Sequence, residues 1–209
     1  MVLSINLPLI LSAAFVASAS PGPATLAIAD TSMQSGRRAG LALALGVSTG
    51  SLTWSIAAAI GLAAIMASSA WALEVLRYVG AAYLMLLALK SARSAIMGPA
   101  AVPHVKAEPS PVRAYAKGLA LHVTNPKPIL FFGSLYTLGV SPRTSLPELV
   151  IVIALVGLQS TTIFTGYAWL FSNGRVARRY MRLRRWFEGA FAVIFAGASL
   201  KVLTSRLPT

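Results

Sequence analysis

Residues 118–133 read GLALHVTNPKPILFFG, an apolar run interrupted by Asn125-Pro126-Lys127-Pro128. Proline removes a backbone donor and its ring clashes with the preceding turn, while the residue before it is driven out of the helical region. The spacing therefore predicts one half-helix ending between His122 and Asn125 and a second starting near Lys127. Pro21-Gly22-Pro23, preceded by Ser20, interrupts an earlier apolar run in the same way. In membrane transporters, paired interrupted helices at corresponding positions of two halves point to a binding site near the bilayer midplane. The expected architecture is all-α: a polytopic membrane protein of six transmembrane helices in two inverted three-helix repeats, with helices 1 and 4 interrupted by these proline motifs.

Composition supports a membrane location. Of 209 residues, 56% are hydrophobic and 11% charged, against roughly 25% charged in a soluble domain. The net charge of +13 would suit nucleic acid in a soluble protein. Here the basic residues lie between apolar runs, as in juxtamembrane loops, which makes membrane lipids the expected neighbours and excludes nucleic acid as a partner. The chain has no cysteine, so disulfides, thiol redox chemistry and thiolate metal sites are excluded. Ala17-Ser18-Ala19 resembles a signal cleavage site. No Lys or Arg precedes it, however, and the apolar character continues to Ala29, so the stretch reads as an uncleaved first span.

A span needs about 20 apolar residues. Residues 1–29 form the first, 30–40 a loop carrying Arg37 and Arg38, and 39–73 the second span with a short turn around Ser68-Ser69. The third covers 74–93. Residues 94–111, with Pro99, Pro103, Pro109 and Pro111, form a polar cytoplasmic linker between halves 1–93 and 112–209. The fourth span runs from about Val112 to Leu138, a turn covers 140–148, and the fifth span is 149–174. An arginine-rich loop follows from Arg175 to Arg185, then a short sixth span from Gly189 to about Leu203. Period-two alternation is absent, which argues against a β-barrel.

Thirteen Lys and Arg residues fall after spans one, three and five: Arg37 and Arg38; Lys90, Arg93, Lys106, Arg113 and Lys117; and the six arginines between 175 and 185. The other side holds four: Arg77, Arg143, Lys201 and Arg206. The positive-inside rule puts the first set in the cytoplasm and both termini outside. Spans one and four then enter from opposite faces, as inverted repeats require.

Pro21-Gly22-Pro23, Gly36-Arg37-Arg38-Ala39-Gly40, Gly46 with Gly50, and Asn125-Pro126-Lys127 followed by Phe131-Phe132, taken in this order, resemble the motifs of the LysE/RhtB family of amino-acid exporters. The resemblance covers most of the chain. It implies six spans, a bacterial inner membrane location, and secondary export of amino acids or related metabolites by proton-driven antiport. Family members commonly carry Asp or Asn after the first motif, where this chain has Ala24, and a Pro-Gln-Phe segment where it has Tyr136-Thr137-Leu138. The resemblance therefore does not carry over the substrate.

Lys127 is the one charge deep within a span on this reading, and such ions are expensive and by default functional. It would join the N-termini of the two second half-helices, following Pro21-Gly22-Pro23 and Asn125-Pro126-Lys127-Pro128, whose dipoles favour an anion such as a substrate carboxylate. The alternative is a structural lysine that snorkels or pairs with Asp30. His122 lies one turn before Asn125 and can exchange a proton, or be a neutral ring bonded to a neighbouring helix. Asp30 follows Pro23 by two turns and is the second coupling candidate, or an interfacial residue facing Arg37 and Arg38. Ser51 on span two, with Ser48 and Ser55, and Thr161 and Thr165 on span five could line the path or bridge helices.

The sequence has no His-Glu-x-x-His, paired carboxylates, phosphate loop or Ser-His-Asp order, so no enzyme activity, metal or cofactor is expected. The reading is a secondary exporter of small zwitterionic or anionic metabolites working by alternating access, for which a homo-oligomer is compatible. The rival is a non-transporting scaffold using its basic cytoplasmic loops, which would not need prolines and a lysine at membrane depth.

Overall fold

The computed structural model describes residues 5–68, 70–97, 110–140 and 144–204. They form seven helices: α1 Leu7–Ala19, α2 Pro23–Ser68, α3 Ala70–Met97, α4 Pro111–Val123, α5 Pro126–Gly139, α6 Leu146–Phe171 and α7 Gly174–Thr204. Pro23–Gly61, Tyr78–Met97 and Leu146–Phe171 are long and apolar enough to cross a membrane, and α1 is a shorter apolar helix. The described residues outside the short connections are all helical.

Both proline breaks form where the sequence places them. Ser20 is extended (φ −68°, ψ 136°) ahead of Pro21, as the residue before a proline must be, and α2 restarts at Pro23. Asn125 is likewise extended (φ −80°, ψ 122°), and its side chain accepts the Lys127 N–H at 3.0 Å to cap α5. Pro126 at the first helical position loses a donor that the helix would have left unpaired.

Elsewhere the boundaries differ from expectation. The loop expected over 30–40 is reduced to Gly36, whose φ of 80° and ψ of 175° interrupt α2 between limbs 23–35 and 37–68. A glycine at that φ turns the chain in one residue, so Asp30 stays helical and is buried. α2 ends at Ser68, where the short turn is expected, Ser69 lies outside the described residues, and the third helix is longer than expected, Ala70–Met97. The linker is confined at its edges by Met97 and Pro111; residues 98–109 lie outside the described residues. The turn over 140–148 ends at Ser145, because Glu148 accepts both the Ser145 N–H and hydroxyl at 2.8 Å and starts α6 at Leu146.

The arginine-rich loop is the largest correction. Residues 174–204 form one continuous helix. Between Gly174 and Gly189 there is no Gly or Pro, and Arg, Leu, Met and Ala are good helix formers. Arg175, Arg179, Arg182 and Arg185 are exposed, whereas Arg184 and Glu188 turn inward and pair at 3.5 Å. Ser94 on α3 donates to Glu188 Oε1 at 3.0 Å. One turn earlier Tyr180 packs edge-on against Phe171, with ring centroids 4.8 Å apart.

The helices pack in a definite order: α2 lies on α4 and α6, α3 on α7 and α5, and α1 against α6 and α5. Lipid is as apolar as leucine, so association in a bilayer depends on close packing of small residues. Gly46, Gly50 and Gly118 supply it between α2 and α4. A Cβ on Gly46 would stand 2.8 Å from Leu119 N, and one on Gly50 would stand 2.9 Å from His122 Cβ. This is the packing role that the Gly46 and Gly50 spacing suggests.

Candidate functional site

A small pocket, partly open to the outside, lies at the two breaks. It is bounded by the end of α1 (Ala17, Ser18, Ser20), the start of α2 (Gly22 to Thr25), Ser51, the α4–α5 break (His122, Asn125, Lys127, Pro128) and Ser160. Phe131, Phe132, Val156 and Phe164 make its apolar wall.

Lys127 reaches across from the start of α5 to the end of α1. Its Nζ donates to the Ser20 hydroxyl and, at 3.4 Å, to the Ala17 carbonyl. Space for it exists because the facing residue is Gly22, where a Cβ would lie 3.4 Å from Nζ. Its own carbonyl accepts from Tyr83 at 3.0 Å, which fixes the first turn of α5 to α3. An ammonium has three donors; two are committed to α1 and one remains for a ligand. No carboxylate is among its hydrogen-bond partners. Asp30 lies off the cavity and accepts from Gln34 at 2.6 Å, so the Lys127–Asp30 pair that the sequence left open does not form.

The two N-termini at the site are unlike. At α5, Pro126 and Pro128 carry no N–H and that of Lys127 is taken by Asn125. At α2 the first intrahelical bond runs from Leu26 N to Gly22 O at 2.9 Å. The N–H groups of Gly22, Ala24 and Thr25 precede it and make no hydrogen bond among the described residues, and all three residues line the cavity. The positive end of α2 is thus open, while that of α5 acts through the Lys127 charge.

His122 is 6% exposed and lines the cavity with neither ring nitrogen hydrogen-bonded. Phe164 meets it edge-on at 6.0 Å. Ser18 and Ser160 share a hydrogen bond at 3.2 Å across α1 and α6.

Of the residues singled out from sequence, Gly22, Pro23, Ser51, His122, Asn125, Lys127 and Pro128 come together around this space. Pro21 shapes the first break without lining it, and Pro126 starts α5 at the second. Thr161 and Thr165 lie off it on α6, and the Thr165 hydroxyl bonds back to Thr161 O at 2.7 Å. Ser48 bonds back to Ala44 O, and Ser55 bridges to Tyr136 at 2.5 Å as interhelical glue. Ser18, Ser20 and Ser160 were missed. The four-residue spacing of Val152, Val156, Ser160, Phe164 and Ala168, all buried on α6, is the signal that selects Ser160 over Thr161.

The sequence profile described as LysE type translocator matches residues 15–206. Among curated relatives, a threonine efflux protein of Salmonella typhimurium is 30% identical over 194 residues, covering 91% of this chain and 94% of the relative. A leucine efflux protein of an Enterobacter species is 29% identical over 188 residues, 87% of each chain. An uncharacterized membrane protein of Pseudomonas aeruginosa is 30% identical over 193 residues, 90% of this chain and 89% of the relative. No solved structure matches. With the profile spanning nearly the whole chain and two interrupted helices meeting at a partly polar cavity, this multi-pass bacterial membrane protein belongs to the LysE type translocator family, whose members are transporters and not enzymes.

Proposed function

We propose that the protein exports small neutral amino acids from the cytoplasm across the bacterial inner membrane by alternating access, in antiport with protons. The observation that carries this reading is the charge inventory of the cavity among the described residues: one ammonium, the open N-terminus of α2, one imidazole, and no carboxylate. That set suits a carboxylate-bearing zwitterion and disfavours a second cation. The names of the threonine and leucine efflux relatives support the same class. His122 and Asp30 are the groups proposed to exchange the proton. Ser51 is proposed to contact substrate, with Thr161 and Thr165 now displaced by Ser160.

The repeat is supported by the chain's own correspondences. Ser20-Pro21-Gly22-Pro23 matches Asn125-Pro126-Lys127-Pro128, and Leu43, Val47 and Ser51 match Val152, Val156 and Ser160. The half-helices ahead of both breaks have 13 residues each. Gly22 and Lys127, equivalent under this pairing, face each other across the cavity. With thirteen basic residues on the loops after spans one, three and five, Arg179 is assigned to the cytoplasm and Ser145 to the outside. Single cysteines at these two positions, in a chain that has none of its own, are expected to be modified in whole cells by an impermeant maleimide at 145 and not at 179. The reverse pattern overturns the orientation.

Efflux from loaded proteoliposomes tests the function. Threonine and leucine are expected to leave at least about tenfold faster than lysine or arginine, the factor for one uncompensated charge contact. Preferential efflux of the cationic amino acids would refute the anion-site reading.

A further inference from the structure

We infer that His122 is the receptor for the substrate's ammonium group, and so the residue that makes the cavity select amino acids over other carboxylic acids. The inference rests on the export reading above and adds the second half of substrate recognition.

A zwitterion brings two charged ends into the site. The carboxylate has Lys127 and the Gly22, Ala24 and Thr25 N–H groups, while the ammonium needs acceptors, because desolvating it without them is costly. The acceptors in the cavity wall are mostly spoken for. Asn125 Oδ1 holds the Lys127 N–H, Ser20 Oγ and Ala17 O hold the Lys127 ammonium, and Ser18 and Ser160 bond to each other. Asp30 and Glu188, the nearest acids by sequence or packing, are not lining residues.

What remains are the Ser51 hydroxyl and His122, and the condition of His122 is unusual. Buried polar groups are nearly always hydrogen-bonded, and an orphan calls for a missing partner. Here an imidazole 6% exposed to solvent, on a residue that lines the pocket, has two buried nitrogens without a hydrogen-bond partner. The neutral ring offers one lone pair and one N–H, which suits an ammonium on the acceptor nitrogen. Its position is also fixed. Gly50 lets α2 close over His122 Cβ, where even a methyl would stand 2.9 Å away, and Phe164 abuts the ring edge. The ring cannot withdraw to find a partner elsewhere. It lies on α4, on the other side of the α4–α5 break from Lys127, so the two recognition groups flank one turn of broken helix.

The test measures binding of two matched pairs to the purified full-length protein in lipid nanodiscs: L-leucine with 4-methylpentanoate, and L-threonine with 3-hydroxybutanoate. Each pair differs by the ammonium group. Wild type is expected to prefer the amino acid by about tenfold to a hundredfold, the factor for one charge-assisted hydrogen bond. His122→Phe keeps an aromatic ring against Phe164 and is expected to reduce that preference to within about threefold while still binding the des-amino acids through Lys127, a loss larger than a neutral contact would give. His122→Gln, which restores an acceptor oxygen, is expected to recover part of the preference, and it decides the matter if the Phe variant does not fold. If wild type binds amino acids but His122→Phe and His122→Gln retain the full preference, His122 is not the ammonium receptor and the export reading stands. If wild type binds neither member of either pair, both fall.

Discussion

Gly118→Ala is expected to remove most of the folded protein from the membrane, whereas Gly133→Ala, the same change one helix later, leaves the yield unchanged or raises it. In a helix interior alanine is intrinsically favoured over glycine by about 0.8–1 kcal/mol. At Gly133 nothing lies within 4 Å of the added carbon, so this term acts alone. At Gly118 the carbon would run into the Leu43 carbonyl group of α2, with Leu43 C at 3.0 Å and Cα at 3.2 Å. These are backbone atoms that cannot rotate away. Overpacking typically costs about 1–3 kcal/mol when side chains can yield and more when they cannot, so the sign reverses between the two sites. Gly46 repeats the situation from the opposite side, facing the backbone of Tyr115 and Leu119. Monodisperse protein recovered after detergent extraction, together with the melting temperature, reads the difference. Equal stability of the two variants would mean that the α2–α4 contact does not hold the bundle together.

That contact also shows why parts of the molecule were legible and others not. Proline chemistry is local: Pro21, Pro23, Pro126 and Pro128 dictate their own backbone and that of the preceding residue, so both breaks could be placed to within a residue or two. Glycine is permissive, and its spacing announces close packing without naming the partner; that Gly46 meets Tyr115 and Gly50 meets His122 is tertiary information. Charge density misled at residues 175–185. An arginine cluster is compatible with a loop, but without Gly or Pro it is also compatible with a helix leaving the bilayer, and burial of Arg184 beside Glu188 depends on α3 supplying Ser94. At the site, Lys127, His122 and Asn125 stood out as polar groups in an apolar run. Serines did not, since a hydroxyl can satisfy itself on its own helix, as Ser48 does, or cross to another, as Ser18 does, and the sequence looks the same. Of the two N-termini that the breaks create, that of α5 offers no free N–H in its first turn, because the prolines that break the chain also strip it of donors.

Lys127→Met is expected to leave the protein folded and nearly abolish export. The structure separates the two effects. Met keeps the apolar stem in the space over Gly22, and no hydrogen-bonded carboxylate is left behind, since the lysine's partners are Ser20 and Ala17, while Glu188, which it feels only electrostatically, keeps Arg184 and Ser94. The Ala17 carbonyl keeps the Ser20 hydroxyl as a donor at 3.1 Å, and Ala19 O keeps that of Tyr167 at 2.8 Å, so the end of α1 stays capped. The lost hydrogen bonds are offset by no longer holding an ammonium inside a span. Substrate has no such replacement. The α2 N–H groups alone must hold its carboxylate, and loss of a charge-assisted contact of about 1.5–3 kcal/mol weakens binding roughly tenfold to a hundredfold. Lys127→Arg should restore part of the activity, because a planar fork does not reproduce a compact ammonium lodged against Gly22. Asp30→Asn in the Lys127→Met background should rescue nothing, as Asp30 bonds Gln34 and not the lysine. Efflux at the wild-type rate by well-folded Lys127→Met protein would reduce the lysine to a clamp between α5 and α1 and leave the N-terminus of α2 as the anion site.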